Sequence, residues 1–257
     1  MRVVRLALLA LLAFLVTLIV RFPAAPVVER FRPELGPVAL EGVEGALVDG
    51  RVARVRSTDD LLPLELTDVT WSLAPLSLPK GAAADVTFEG YGGGGAGRVL
   101  RAWNGDLRVE SLEFTADAKA LEPLLPVPLA AFSGALAGDI ARVVLEEQLL
   151  TAFEGTLSWS DAVLERPVRA ALGTLDVDVA KSGEDTHLVT LAAAGGDVAV
   201  EGTVSLTLGG DFVADVLLTP APTASPELIG ALGRMARPES GGRFRLQQSG
   251  NVNRLAG

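Results

Sequence analysis

Gly42-Val43-Glu44-Gly45-Ala46-Leu47-Val48-Asp49-Gly50-Arg51-Val52-Ala53, leading through the alternation of Val52, Arg54 and Arg56 to Asp68-Val69-Thr70-Trp71-Ser72-Leu73-Ala74-Pro75-Leu76, sets out the pattern on which the rest of the chain is built. Asp49-Gly50 between two apolar runs is a hairpin signal, because a tight turn needs positive φ and glycine supplies it without steric cost. The short theme of an apolar residue two before a glycine and another two after it returns three times. It recurs in Phe132-Ser133-Gly134-Ala135-Leu136, Phe153-Glu154-Gly155-Thr156-Leu157 and Val200-Glu201-Gly202-Thr203-Val204. The copies are unevenly spaced, so they form a loose quasi-repeat of one strand type and not the fixed period of a propeller or solenoid.

Working outward, the chain reads as strands and turns. Ala84 to Gly90 is β-prone, Gly92 to Gly97 reads as a glycine loop, and Val99 to Trp103 leads into a second hairpin at Asn104-Gly105. From Asp106 to Phe114 the apolar members are Leu107, Val109, Leu112 and Phe114, and the break in alternation at Glu110-Ser111 marks a bulge. Leu121 to Pro128 is too rich in proline for a helix interior or a central strand and serves as a connector. Further strands are expected at Ala130 to Leu136, Ile140 to Leu145, Thr151 to Trp159, Gly173 to Ala180, Thr186 to Ala193, Asp197 to Leu208 and Asp211 to Leu218, with a hairpin at Gly209-Gly210. Strands this closely spaced, with no long amphipathic helices between them, predict a mainly β protein: an antiparallel, curved sheet in the form of a sandwich or half-barrel.

One short helix is predicted near the C-terminus. Ser225 suits the N-cap and Pro226 the first helical position; Leu228, Ile229, Leu232 and Met235 share a face, and Pro238 stops the run. Its expected task is to cap the sheet, and Gly242 to Gln248 reads as a terminal strand that closes it.

Composition bounds the functional classes. In 257 residues with 49% hydrophobic content there is ample material for a core, but aromatics make up only 5%, so the core is one of Leu, Val and Ala. That scarcity also removes the stacking platforms of a single-strand nucleic-acid binder. The net charge is −10; residues 1–32 carry five arginines against Glu29, a net +4, which leaves −14 on the remainder. An acidic body of this kind repels phosphate backbones, so no nucleic-acid partner is expected. With no cysteine, disulfides, thiol catalysis and cysteine metal sites are excluded together.

The basic N-terminus encloses an apolar run from Leu6 to Val20 which, extended over Val3, Val4 and Phe22, reaches the roughly 20 residues needed to cross a bilayer core. Arg5 and Arg21 stand where they can snorkel to the two interfaces. A cleaved signal peptide is the rival reading, with Pro23-Ala24-Ala25 as its small residues. Against cleavage, Arg21 and Pro23 directly follow the run, and Pro26 would occupy the first position after a cut at Ala25. The expected organisation is therefore a transmembrane signal-anchor helix over residues 1–25 and an all-β domain over residues 26–257.

No catalytic set emerges. Gly92, Gly94 and Gly97 match G-x-G-x-x-G formally, yet the chain reaches Asn104-Gly105 before a helix could form, so the dinucleotide reading lacks its context. His187 is the single histidine, which precludes a three-histidine zinc site, and it reads as an ordinary polar strand position. Asp176 and Asp178 share one face of a strand as paired carboxylates might, and a solvated strand face accounts for them. No catalytic, cofactor-binding or metal-ligating residue is assigned, no cofactor is expected, and the chain is not read as an enzyme.

The single anchor, the Gly42 to Ala53 stretch, Val69-Thr70-Trp71-Ser72-Leu73-Ala74-Pro75-Leu76, Gly155-Thr156-Leu157-Ser158-Trp159-Ser160-Asp161-Ala162 and the ending Gly242-Arg243-Phe244-Arg245-Leu246-Gln247-Gln248-Ser249-Gly250 together resemble the N component of the bacterial type II secretion system. The resemblance covers nearly the whole chain and rests on the order of the segments. It implies a single-pass inner-membrane protein with its bulk in the periplasm, partnered with other components of a machine that exports folded proteins by docking or assembly. The family is also similar to AsmA-like periplasmic proteins, whose curved sheets form an apolar trough for lipid. That implies, as the alternative, a module binding or transferring lipid or another hydrophobic ligand.

Overall fold

The computed structural model describes residues 21–31, 38–57, 64–74, 77, 81–124, 131–146, 149–166 and 168–251. The anchor expected at Leu6 to Val20 and the second half of the connector expected at Leu121 to Pro128 lie outside the described residues. Among the described residues no helix is long and apolar enough to cross a membrane.

Helix α1 (Ala24–Phe31) comes first. The strands β1 (Val38–Gly45), β2 (Asp49–Ser57), β3 (Glu65–Leu73), β4 (Gly81–Gly90), β5 (Gly93–Ala102) and β6 (Leu107–Asp117) follow. A 3-10 turn over Ala118–Leu124 leads to β7 (Ala131–Glu146), β8 (Leu149–Arg166), β9 (Ala170–Lys181), β10 (Thr186–Gly195), β11 (Val198–Thr207) and β12 (Asp211–Pro220). Helix α2 (Pro226–Met235), the two-residue β13 (Arg237–Pro238) and β14 (Phe244–Asn251) complete the chain. All 14 strands belong to one sheet, antiparallel throughout, ordered as in the sequence except that β14 pairs with β12 and β13 lies outside it. One open sheet therefore takes the place of a sandwich. The terminal strand does not close it, because β1 lies at one end of the sheet and β14, flanked by the two-residue β13, at the other.

Period-two alternation gives the sheet two chemically different faces. On one, the pairing register aligns Phe88, Gly95, Phe114, Gly138, Leu157, Val177, Leu191, Gly202, Val216 and Leu246 into a single apolar row. It is unbroken from β4 to β14, and at about 4.8 Å per strand its nine steps span roughly 43 Å. The glycines of the row answer its large side chains. A Cβ on Gly138 would lie 2.3 Å from the Phe114 ring, and one on Gly95 would lie 2.6 Å from the ring of Phe88. Gly95 and Gly138 thus leave space on the apolar face for a neighbour's ring to lie across the strand, whereas the glycines of the recurrent theme, Gly45, Gly134, Gly155 and Gly202, stand closest to neighbouring backbone atoms. This corrects the glycine loop expected at Gly92 to Gly97. Gly93 to Gly97 lie within β5, and the turn is only Tyr91-Gly92, both with positive φ.

On the other face the next row reads Thr87, Ala96, Glu113, Asp139, Thr156, Asp178, Thr190, Thr203, Asp215, Gln247. Beside it, Asp85, Arg98, Glu110, Arg142 and Glu154 alternate in sign across β4 to β8. Opposite charges set directly across strands contribute about 0.2–1 kcal/mol each and favour one register.

Other details refine the turns. Asp49-Gly50 opens β2 instead of forming the turn: Gly45 pairs with Gly50, Gly45 carries the positive φ of 86°, and the Ala46 N–H donates to the Asp49 carbonyl (2.8 Å). Asn104-Gly105 and Gly209-Gly210 are turns as expected, with Gly105 and Gly210 at φ 98° and 88°. The bulge at Glu110-Ser111 is present, with Ser111 at φ 49° and a register shift against β5. The segments expected at Ala130 to Leu136 and Ile140 to Leu145 fuse into the 16 residues of β7.

Helix α2 covers the apolar face at its far end. Ser225 Oγ accepts from the Leu228 N–H (3.2 Å), and Leu228 and Leu232 are buried with Ala170, Ala193, Val198, Val200, Val216 and Phe244. Ile229 and Met235, expected on the same buried stripe, are exposed, the latter at 70%. Ile229 stands about 100° round the helix from Leu228, and Met235 is the last residue of α2. At the near end, Pro23 bridges Ala46 and the Leu47 N–H donates to the Phe22 carbonyl (2.9 Å), which ties the chain just after Arg21 to the β1–β2 hairpin.

Candidate functional site

Three features of this sheet are available to other molecules: the apolar row, a hollow on the carboxylate-bearing face, and the sheet edges. Along the apolar row Phe88, Phe114, Leu157, Val177 and Leu191 are half-buried, and among the described residues no large side chain falls below 2% exposure. Among the described residues α2 covers one stretch of this face, and the turn at Ala118–Leu124 packs against β6 and β7. Trp71 and Trp159 point to this face, each half-buried. Trp71 Nε1 donates to the Leu47 carbonyl (2.9 Å) and Trp159 Nε1 to the Ser133 carbonyl (3.1 Å), while the Phe132 ring meets Trp159 edge-on at 5.9 Å.

His187 is also here, and this corrects its reading as an ordinary polar position. It is 4% exposed and its Nε2 accepts from the Phe153 N–H (3.2 Å), reaching across the end of β9. Nε2 can accept only when unprotonated, which assigns the ring proton to Nδ1. The histidine satisfies a backbone donor inside the sheet.

On the opposite face Asp176 and Asp178 do share one surface, and Glu113 and Asp139 join them around a hollow of 860 Å³ floored by Gly, Ala, Thr and Ser. Glu113 and Asp139 lie 26 positions apart in sequence and are direct cross-strand partners, a like-charge pair that costs rather than contributes stability. All four carboxylates are exposed. Among the described residues no group of three or more His, Cys, Asp or Glu is arranged to hold a metal ion.

Ion pairs on this face are exposed and individually weak. The Arg98 guanidinium, hydrogen-bonded to Asp85 at 2.8 Å, holds that carboxyl below its ordinary value. Arg245 does the same to Asp215 through two 2.7 Å hydrogen bonds, helped by Gln247, and is itself pushed up by Asp215 and Glu239. The first pair joins β4 to β5 and the second joins β12 to β14, so both act across strands.

Taken together, these features define a single-sheet β-meander scaffold with two chemically different faces. A family model described as type II secretion system (T2SS), protein N, matches residues 36–247, and the chain belongs to that family. It is 29% identical over 260 aligned positions to the type II secretion system protein N of Vibrio cholerae serotype O1 (strain ATCC 39315 / El Tor Inaba N16961), covering 98% of this chain and 99% of that protein. It is 27% identical over 241 residues to the protein of the same name from Aeromonas hydrophila, covering 91% and 93%. No solved structure matches it significantly.

Proposed function

We propose that this protein is an inner-membrane-anchored, periplasmic component of the type II secretion machinery that acts in protein export by docking other components. The observation that carries the reading is the open sheet itself: in a chain of this family, 14 strands end in two edges instead of closing. An open antiparallel sheet offers unpaired backbone donors and acceptors to a partner. The apolar run at Leu6 to Val20 supplies the anchor, and the contacts of Phe22 and Pro23 with the β1–β2 hairpin set the β1 end of the sheet beside the membrane. Residues 26–257 then lie in the periplasm, and no cofactor, metal or nucleic acid enters the reading.

The test is export itself. Lysines placed on exposed edge positions are expected to reduce the amount of secreted protein in the medium while the variants remain folded and membrane-associated. Export indifferent to changes at both edges and at every exposed patch overturns the docking role. Mass spectrometry of the mature N-terminus tests the anchor, and a chain beginning near Pro26 refutes it.

A second reading, a lipid or hydrophobic-ligand module, is favoured by one observation: the large side chains of the apolar row from Phe88 to Val177 are half-buried and lie outside the cluster under α2. Native mass spectrometry of gently extracted protein separates the two. Stoichiometric phospholipid, displaced by Val109→Asp or Leu206→Asp in a folded variant, selects the lipid module, and little or no lipid selects docking.

A further inference from the structure

The two edges of the sheet are built differently. On β1, Glu41 and Glu44 place carboxylates on the edge strand, Gly42 and Gly45 break its regularity with φ of 67° and 86°, and α1 packs alongside. Charges, irregular backbone and a covering helix are the devices that blunt an edge against strand addition. On β14, from Leu246 through Gln247, Gln248 and Ser249 to Gly250, there is no charge, no proline and no positive φ. Among the described residues its outer side is paired by β13, whose two residues stand opposite Phe244 and Arg245. Among the described residues no strand continues the ladder beyond Arg245, which leaves five positions, about 17 Å of extended backbone.

The surroundings of this edge indicate what it would accept. Where β13 stops, a hollow of 380 Å³ opens, in which Met235, Ala236 and Leu246 are joined by the polar Arg237, Glu239, Arg245 and Gln247, with Met235 70% exposed. Arg245 is neutralised by Asp215 and Glu239. Arg234 and Arg237 are exposed and have no ion-pair partner among the described residues, in a chain whose net charge beyond residue 32 is −14. Local positive charge on an acidic protein selects for anionic partners and against a second copy of the protein itself.

We propose that the outer edge of β14 accepts an extended segment of another protein as an additional strand, with a carboxylate facing Arg234 and Arg237 and a neighbouring side chain entering the hollow beside Met235 and Leu246. The backbone ladder supplies affinity without sequence preference, and the hollow and the two arginines supply the selection. The proposal rests on the docking reading and names its edge and the chemistry of its partner.

The test uses the full chain in detergent micelles and two fluorescein-labelled peptides of alternating valine and threonine, one ending in glutamates and the other in lysines. Expected is saturable binding of the glutamate peptide, with amide exchange at residues 246–250 slowed at least tenfold and that of β1 unchanged. At least tenfold weaker binding is expected for the lysine peptide, for Arg234→Glu/Arg237→Glu and for Gln248→Lys. Arg234 and Arg237 make no ion pair among the described residues, so a variant with unaltered circular dichroism isolates their effect on binding. Equal binding of both peptides, binding that leaves residues 246–250 unprotected, or no binding of either overturns the proposal. So does protection of β14 that appears with protein concentration alone, which assigns the edge to a second copy. A failure here alongside export defects from other surface changes leaves docking standing and removes only this edge.

Discussion

Substituting alanine for Gly138 tests the packing logic of the whole apolar row. A β-carbon there would lie 2.3 Å from Phe114 Cε1 and 2.5 Å from Cζ, more than an ångström inside ordinary contact. Gly138 is not among the residues with positive φ, so the backbone accepts alanine without strain and the clash with the ring is the whole difficulty. The ring cannot slide freely along the row, because Phe88 already lies across the neighbouring Gly95. Overpacking of this kind costs about 1–3 kcal/mol, against a gain of about 0.5–1 kcal/mol when alanine replaces glycine in a strand. Gly138→Ala alone should therefore lower stability by about 1–2 kcal/mol. In a Phe114→Ala background the obstruction is gone and the same change should raise stability by about 0.5–1 kcal/mol. The coupling between the two sites is then the overpacking cost itself, about 1–3 kcal/mol. Urea unfolding followed by tryptophan fluorescence across the four proteins of the cycle measures it. If Gly138→Ala costs the same with and without the Phe114 ring, the row is not packed as described.

Four further outcomes are expected. Ser225→Ala removes the acceptor for the Leu228 N–H and should cost about 1 kcal/mol, seen as faster amide exchange confined to α2. His187→Leu keeps the bulk but strands the Phe153 N–H, for about 1–3 kcal/mol in thermal or urea unfolding. Asp139→Lys turns the like-charge pair with Glu113 into an attractive one and should stabilise by about 0.2–1 kcal/mol, read as a higher urea midpoint. The Asp215 carboxyl is held below its ordinary value of 3.8, so its contribution is complete above that pH and is lost as pH falls towards the lowered folded value. Arg245→Met should therefore flatten the fall in stability below pH 4, and an unchanged acid limb would show that the pair contributes nothing.

What could be read beforehand was local. Asn104-Gly105, Gly209-Gly210, the Glu110-Ser111 bulge and the Ser225-Pro226 helix start are all decided by residues within a few positions of one another. The errors fell where a residue answers to a neighbour far along the chain. Gly93 to Gly97 have the composition of a loop, and what makes them strand is pairing with β4 and β6 beneath the rings of Phe88 and Phe114. Gly138 looked like a break between two strands for the same reason, since nothing nearby announces that Phe114 will lie over it. Asp176 and Asp178 were visible as a pair because they are two apart, whereas Glu113 and Asp139 join them only through register. His187 gave no sign of burial, because its partner is a backbone N–H on β8, 34 positions away. The open edges follow from how the register runs across the entire sheet, and alternation within single strands carries no record of it.

The order of the strands bears on how such a sheet is made. From β1 to β12 each strand pairs with those next to it in the chain, so no step waits on a distant segment. Contacts between sequence neighbours close short loops and assemble quickly compared with long-range pairings. A chain delivered N-terminus first can lay down hairpin after hairpin on the part already formed, as repeat proteins propagate from unit to unit. Until α2 folds back and β14 joins β12, every newly added strand is itself the growing end. Sheets longer or shorter by a whole hairpin remain compatible with the same construction, so the reach of this protein away from its first strand can change by insertion or deletion without redesign of what precedes it.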